Sequence, residues 1–258
     1  MTIHIRADGP CGTIVIQNPE HRNALTREML ANLRGALDDL YQQKSVRAVV
    51  LTGDGTSFSA GTDLRELYGN RDEEEIQQRW HLDAHLHREL VTQMLQFPKP
   101  IIAAVNGPAL GLGLGLVAAC DLAIASPNAT FGFPEVRRGL TAGVAIPLIA
   151  HRIGAARASH LLFRKNPIDA ETALEVGLIQ EIVSFDQVWA RAYEWVEEIA
   201  NASHIAISMT KRVLNETVGE ALMSQLSAAA ATTATARTTE HAMEGVNAFL
   251  EKRDPVWQ

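Results

Sequence analysis

One carboxylate stands out by its company. Glu135 closes the run Phe131-Gly132-Phe133-Pro134-Glu135, among apolar neighbours. Burial there raises a carboxyl pKa, as a group that takes and returns protons near neutral pH requires. The bland alternative is an exposed turn carboxylate after Pro134, paired with Arg137 or Arg138. Upstream, the apolar run Ile101–Val105 breaks at Asn106-Gly107-Pro108 and enters a segment with glycine at 111, 113 and 115. Glycines where a helix begins remove Cβ atoms, so a ligand can approach N–H groups that lack helical partners and carry the positive dipole end. Close helix–strand packing would also explain them, and Leu116 breaks the dinucleotide fingerprint. An oxyanion-type donor beside an acid/base points to chemistry on a carbonyl.

Other constellations carry less. His81 and His85 stand four apart with His87 beyond, but Leu82 holds the place of the glutamate in HExxH. Solvent-facing helix histidines are the expectation, with no metal. Ser57-Phe58-Ser59-Ala60-Gly61 departs from the GxSxG elbow at Ser57, and no His or Asp follows in triad order. Cys11 and Cys120 have no metal spacing and form no disulfide framework, which fits a reducing compartment.

Periodicity supplies the elements that must position these groups. Residues 3–6 and 13–17 read as strands around Asp8-Gly9-Pro10, and 18–23 as loop. Residues 26–42 form an amphipathic helix through Met29, Leu33, Ala36, Leu37 and Leu40, and 48–52 a buried strand. Residues 57–61 are irregular, Thr62-Asp63-Leu64 opens a short helix, and 70–75 is a charged connection. A long helix over 76–97 is stopped by Pro98 and Pro100. Helices follow at 142–153, 155–163 and 170–176, a strand at 178–183, and helix from 186 onward. This alternation means α/β, and by itself suggests a doubly wound sheet.

The composition, 47% hydrophobic and 21% charged, allows a real core in one large domain. A net charge of -7 argues against a nucleic-acid footprint. The polar N-terminal stretch is no signal peptide and no apolar run reaches membrane-spanning length, so the expected setting is cytoplasmic, away from membranes.

NGPALGLGLGLVAACDLAIAS, followed by ATFGFPEVRRGLTAG, resembles the signature of the enoyl-CoA hydratase/isomerase (crotonase) superfamily. SFSAGTDLREL is similar to that family's first oxyanion-hole segment, and MEGVNAFLEKRDPVW to its usual ending. The resemblance implies a crotonase-like spiral of ββα units over 1–185. A C-terminal helical region over 186–258 would trimerise and cover coenzyme A. It implies an acyl-CoA thioester substrate, no cofactor beyond the coenzyme A of the substrate, and a homotrimer or dimer of trimers. Backbone N–H groups of Thr62 and Leu112 match the oxyanion hole, and Glu135 the acid/base. Ala60, Asp63, Leu64, Gly111, Gly115 and Gly143 match substrate-binding positions, Phe249 and Lys252 the coenzyme A site, and 68–80 the variable pocket wall. The departure is Gly115. Hydratases of the family carry a second glutamate there, twenty residues before the first, in GGGCE where this chain has GLGLG. One-base isomerisation is therefore favoured over two-glutamate hydration. The alternatives are a hydratase with a second, unidentified acid/base and a catalytically degenerate acyl-CoA-binding protein. Glu66, Tyr68 and Asp72 are nearest in order for a second group, and each reads as a solvated residue at a helix end.

Overall fold

In the computed structural model, which describes residues 1–68, 73–164 and 166–257, the chain repeatedly lays a strand in one sheet, a shorter segment in a second, then a helix. The first strands, β1 (Thr2–Asp8) and β2 (Cys11–Gln17), pair antiparallel. Helix α1 (Arg27–Gln42) leads to β3 (Ala48–Gly53), and α2 (Leu64–Tyr68) and α3 (Glu73–Gln96) lead to β4 (Ile101–Val105). Next come β5 (Ala109–Leu110), α4 (Leu112–Ala119), β6 (Leu122–Ala125), β7 (Thr130–Gly132), α5 (Ala145–Ile153) and α6 (Ala155–Phe163). The chain ends through β8 (Ile168–Asp169), α7 (Ala170–Glu175), β9 (Glu181–Ile182), α8 (Val188–Ala200), α9 (His204–Arg237) and α10 (Glu240–Leu250).

The larger sheet has the order β1-β2-β3-β4-β6-β9 and is parallel beyond β2; the smaller has the order β5-β7-β8. β4 is followed by β5, and β6 by β7. After β3, Ser59 makes a single bridge to Ala109 of β5. This is a spiral of ββα turns, not the doubly wound single sheet that alternation alone suggests. β5 and β7, at two and three residues, are too short to show a period in the sequence. Of the expected connection over 70–75, residues 70–72 lie outside the described residues, and α3 already begins at Glu73. The strand expected over 178–183 shrinks to Glu181–Ile182, the helix expected from 142 starts at Ala145, and the chain beyond Leu250 leaves the helix.

Burial explains the sheet. β3, β4 and β6 are covered on both faces, so they read as continuous apolar runs. Val49 and Leu51 face a core shared with Met29, Leu33 and Leu37 of α1 and Leu90 and Met94 of α3. Ala48 and Val50, one step out of phase, face Val188, Ala192 and Val196 of α8. Thr26 caps α1 by accepting the Met29 N–H at 3.2 Å.

An ion pair with a buried lysine ties α9 to the sheet. Lys211 Nζ donates to Asp121 Oδ2 at 2.6 Å and to the carbonyls of Met94 and Lys99 at 3.2 and 3.3 Å. Asp121 Oδ2 also accepts the Ile101 N–H at 2.7 Å. Removing Lys211 leaves Asp121, which is 27% exposed, without its cation, at a cost below the roughly 3–5 kcal/mol of a fully buried pair. Lys211→Met is therefore expected to lower the thermal midpoint by several degrees. An unchanged melting curve would show that the pair contributes nothing.

Candidate active site

The segment before α2 is held from both sides. Asn23, at φ 57°, donates from its amide to the carbonyls of Asp54 and Ser57 at 2.8 and 2.7 Å. Asn106 donates to the Gly55 carbonyl at 2.8 Å and accepts the Gly53 N–H at 3.2 Å. Ala60 N–H then donates to the Arg22 carbonyl, Leu25 N–H to that of Gly61, and Asp63 N–H to that of Leu25. These bonds bracket Thr62, and its own N–H has no backbone acceptor among the described residues. Gly61 sits at φ +87°, where a Cβ would lie 3.1 Å from the Leu112 nitrogen. Only glycine lets the two segments meet this closely. Leu112 opens α4, so its N–H has no intrahelical acceptor. Two unpaired donors thus lie on touching segments at a helix N-terminus.

Glu135 faces them across a cavity of ≈ 50 Å³ lined by Ala60, Thr62, Leu64, Leu112 and Glu135 itself. Gly111 is pressed against the carboxylate, since a Cβ there would clash with Oε1. Oε2 is buried without a hydrogen-bond partner. Burial pushes the Glu135 carboxyl up to about 7, against weaker opposing effects of its own backbone N–H and Arg138. An exposed turn carboxylate would show neither feature. Arg138, Leu140, Thr141, Ala142 and Val144 continue the wall from the loop after Glu135. Leu67, His87, Thr233 and Arg237 close it from α2, α3 and α9.

Several expected site residues stand behind this wall. Asp63 is 6% exposed and pins the turn into α2. It accepts the Arg65 backbone N–H at 2.9 Å and the Arg65 guanidinium at 2.9 and 3.1 Å. Burial pushes its carboxyl up, but these bonds outweigh it and hold the pKa below its ordinary value. Gly143 lies between Ala142 and Val144 at φ +33°, where a Cβ would clash with Thr233 Oγ1 of α9. At Gly115 a Cβ would meet the Ala145 Cβ at 3.1 Å and Leu112 Cδ1 at 3.8 Å. Phe249, at the end of α10, lies beneath the Arg138 guanidinium at 4.1 Å, and exposed Lys252 follows at φ 57°.

Two sequence readings are corrected. His87 is 5% exposed and lines the cavity, whereas His81 and His85 do face solvent. It lies three before Leu90 and seven before Met94, on the buried stripe of α3, a signal the metal-spacing comparison overlooked. Burial first, then Arg237 and Arg27, push its pKa down to about 3, so the ring is neutral at pH 7. Tyr68 is not a solvated helix-end residue; it is 6% exposed and stacks on Trp80 at 5.5 Å. In line with the departure from the elbow pattern, Ser59 is fully buried and its hydroxyl donates to the Asn23 carbonyl at 2.7 Å, so it is not poised as a nucleophile. Glu66 is exposed and accepts the Arg27 N–H at 2.9 Å, while Asp72 lies outside the described residues. Arg237 and Thr233, more than ninety residues after Glu135, had no local signal.

A ββα spiral with such a cavity defines the class: the crotonase fold. A crystal structure of an enoyl-CoA hydratase/isomerase from Xanthobacter autotrophicus Py2 superposes with a TM-score of 0.88 at 27% identity, covering 98% of this chain and 97% of that one. The enoyl-CoA hydratase/isomerase family model matches residues 8–258. Two bacterial relatives carry provisional enoyl-CoA hydratase names. One, from Thermus thermophilus, is 36% identical across 96% of this chain and 97% of its own length. The other, from Bacillus subtilis, is 33% identical across 99% and 98%. The chain belongs to the enoyl-CoA hydratase/isomerase family.

Proposed function

We propose that the protein processes an acyl-CoA thioester through an enolate, with Glu135 as its single acid/base and double-bond isomerisation as the favoured reaction. The observation that carries this reading is the partnerless, buried Oε2 of Glu135 in a cavity shared with Thr62 and Leu112. The thioester oxygen accepts the N–H groups of Thr62 and Leu112. Glu135 removes a proton from the carbon between the carbonyl and a 3,4-double bond. The electron pair moves onto the thioester oxygen as enolate, and these donors stabilise the charge. Collapse returns a double bond to the 2,3-position while the protonated Glu135 delivers its proton to carbon 4. One carboxylate completes the cycle, and no metal or redox group enters it. Gly115 favours the same view, because the position carries no second carboxylate and a Cβ there would press on the Ala145 Cβ at 3.1 Å.

The test is turnover of a 3-enoyl-CoA and a 2-enoyl-CoA of one chain length, measured beside binding of a saturated CoA ester. Gly115 also supports a second reading, a degenerate acyl-CoA-binding protein. Binding with no turnover of either substrate would select it.

Lys252 is assigned to a coenzyme A phosphate. It follows α10, which the Arg138–Phe249 contact fastens beside the cavity. Lys252→Ala is expected to weaken CoA-ester binding several-fold at low salt, less at high salt, with little change in kcat. Unchanged affinity at low salt would refute the assignment.

The helices over 186–258 are assigned an assembly role in a trimer or dimer of trimers. Ile205, Met209 and Leu214 are exposed apolar residues on α9, and Ala228, Ala231 and Thr235 leave a small-residue face open for close packing. Sedimentation at micromolar concentration should give a trimer or its multiple; a monomer would overturn the assignment. Buried free Cys11 and Cys120 fit a cytoplasmic setting, and among the described residues no helix is long and apolar enough to cross a membrane.

A further inference from the structure

The cavity carries more positive charge than the proposed reaction uses. Its wall holds two guanidinium groups, Arg138 and Arg237, against the one carboxylate of Glu135. Arg138 is accounted for by its stack on Phe249 at 4.1 Å. Arg237 is not. It is 4% exposed, in the last turn of α9, where its Nη1 donates to the Trp80 carbonyl at 3.3 Å and lies 3.7 Å from Asp83 Oδ2. Asp83 already has a better partner. Arg27 donates to it from Nε at 2.5 Å and from Nη2 at 3.0 Å, in the bidentate arrangement that carboxylates favour. One buried carboxylate thus serves two guanidinium groups, and Arg237 has only the long contact.

A second observation lies beside it. Tyr68 follows the wall residue Leu67 and does not itself line the cavity; it is 6% exposed, interacts electrostatically with Arg237, and has a hydroxyl with no hydrogen-bond partner. His87 completes the corner as a neutral ring, so one of its nitrogens carries an N–H and can donate. A buried guanidinium with one long ion pair and an unpartnered buried hydroxyl are both unfavourable against an alkyl chain, which offers them nothing. A carboxylate in the cavity would answer the guanidinium directly, accepting in its plane. The cavity of ≈ 50 Å³ has room for roughly three to four water-sized groups, which suits a short acyl chain.

We propose that Arg237 and His87, with the Tyr68 hydroxyl beside Arg237, receive a carboxylate at the far end of a short acyl group, so that the substrate is a dicarboxylyl-CoA thioester. This rests on the acyl-CoA reading above. It separates two jobs within one cavity: Thr62, Leu112 and Glu135 act on the thioester end, and the α3–α9 corner selects the other end by charge.

The experiment is calorimetric titration of the full chain with glutaryl-CoA and pentanoyl-CoA. The two acyl groups match in length and differ in a carboxylate against a methyl at the tip, so any contribution of the coenzyme A phosphates cancels. Wild type is expected to bind glutaryl-CoA at least ~10-fold more tightly, the size expected for hydrogen bonds to a charged group. Arg237→Met should abolish or reverse that preference. Tyr68→Phe keeps the ring on Trp80 and removes only the hydroxyl; it should weaken glutaryl-CoA about three- to tenfold and leave pentanoyl-CoA unchanged. If Arg237→Met fails to fold by circular dichroism, Tyr68→Phe decides. Equal or tighter binding of pentanoyl-CoA by wild type overturns the carboxylate receptor alone, as does a preference that survives these substitutions. If neither ester binds, the acyl-CoA reading itself falls.

Discussion

Glu135→Gln is expected to lower kcat for isomerisation by roughly 10²–10⁴-fold, the usual worth of one positioned general acid/base. Binding of a saturated CoA ester should stay within a few-fold, because the amide keeps the shape and the donors of Thr62 and Leu112 are untouched. The pH profile gives a second readout. With its carboxyl raised to about 7, wild-type kcat/KM should climb as pH rises through that value, since the base must be ionised. The variant should lose this limb. Stability moves in the opposite sense. A carboxyl whose folded-state pKa exceeds its unfolded value favours the fold when protonated. That contribution is fully present below the unfolded value near 4.5 and disappears as pH rises through 7. Wild type should therefore lose stability between pH 5 and pH 8 relative to Glu135→Gln, by at most about 3 kcal/mol. A variant less active and more stable at pH 8 is the signature of a carboxylate held against its own solvation for function. Turnover unaffected by the change would place the proton chemistry elsewhere.

How much of this was legible in the chain depended on how local the cause was. Glu135 could be read because Phe131, Phe133 and Pro134 announce its burial within five residues. The helix expected over 26–42 was legible for a similar reason, through its apolar stripe, and it forms over Arg27–Gln42. The second sheet was not, since Ala109–Leu110 and Thr130–Gly132 are defined by their mutual pairing and too short to carry a pattern. The resemblance supplied the spiral that periodicity could not. Gly61 shows the same limit at the site. The need for glycine there, at positive φ and where a Cβ would lie 3.1 Å from the Leu112 nitrogen, depends on a segment about fifty residues further on. Arg237 and His87 form a corner only because α3 and α9 pack together, bringing residues 150 apart to one cavity. A histidine on the buried stripe of α3 was the single sequence clue to that corner.

The second large effect concerns position 115, where a carboxylate can be added. Hydration of a 2-enoyl thioester needs a water deprotonated as it attacks carbon 3 and a proton delivered to carbon 2. Isomerisation needs one base that carries one proton between two carbons. With Glu135 alone, wild type should isomerise a 3-enoyl-CoA faster than it hydrates the matching 2-enoyl-CoA. A side chain at 115 would leave α4 between Leu112 and Ala145, next to the cavity-lining Leu112 and Val144. Its Cβ would lie 3.1 Å from the Ala145 Cβ, a contact tight enough that the neighbour must yield. Gly115→Glu alone is thus expected to lose some stability, and Gly115→Glu with Ala145→Gly to recover it. The relieved double variant should gain hydration by roughly 10²-fold or more, the low end of what a general acid/base contributes. Its isomerisation should change far less, because Glu135 and both donors are retained. Both rates on one acyl chain, for wild type, Ala145→Gly and the double variant, decide the matter. Wild-type hydration already faster than isomerisation would refute the one-base assignment. A folded double variant without any gain would show that the cavity cannot place a water between the two carboxylates.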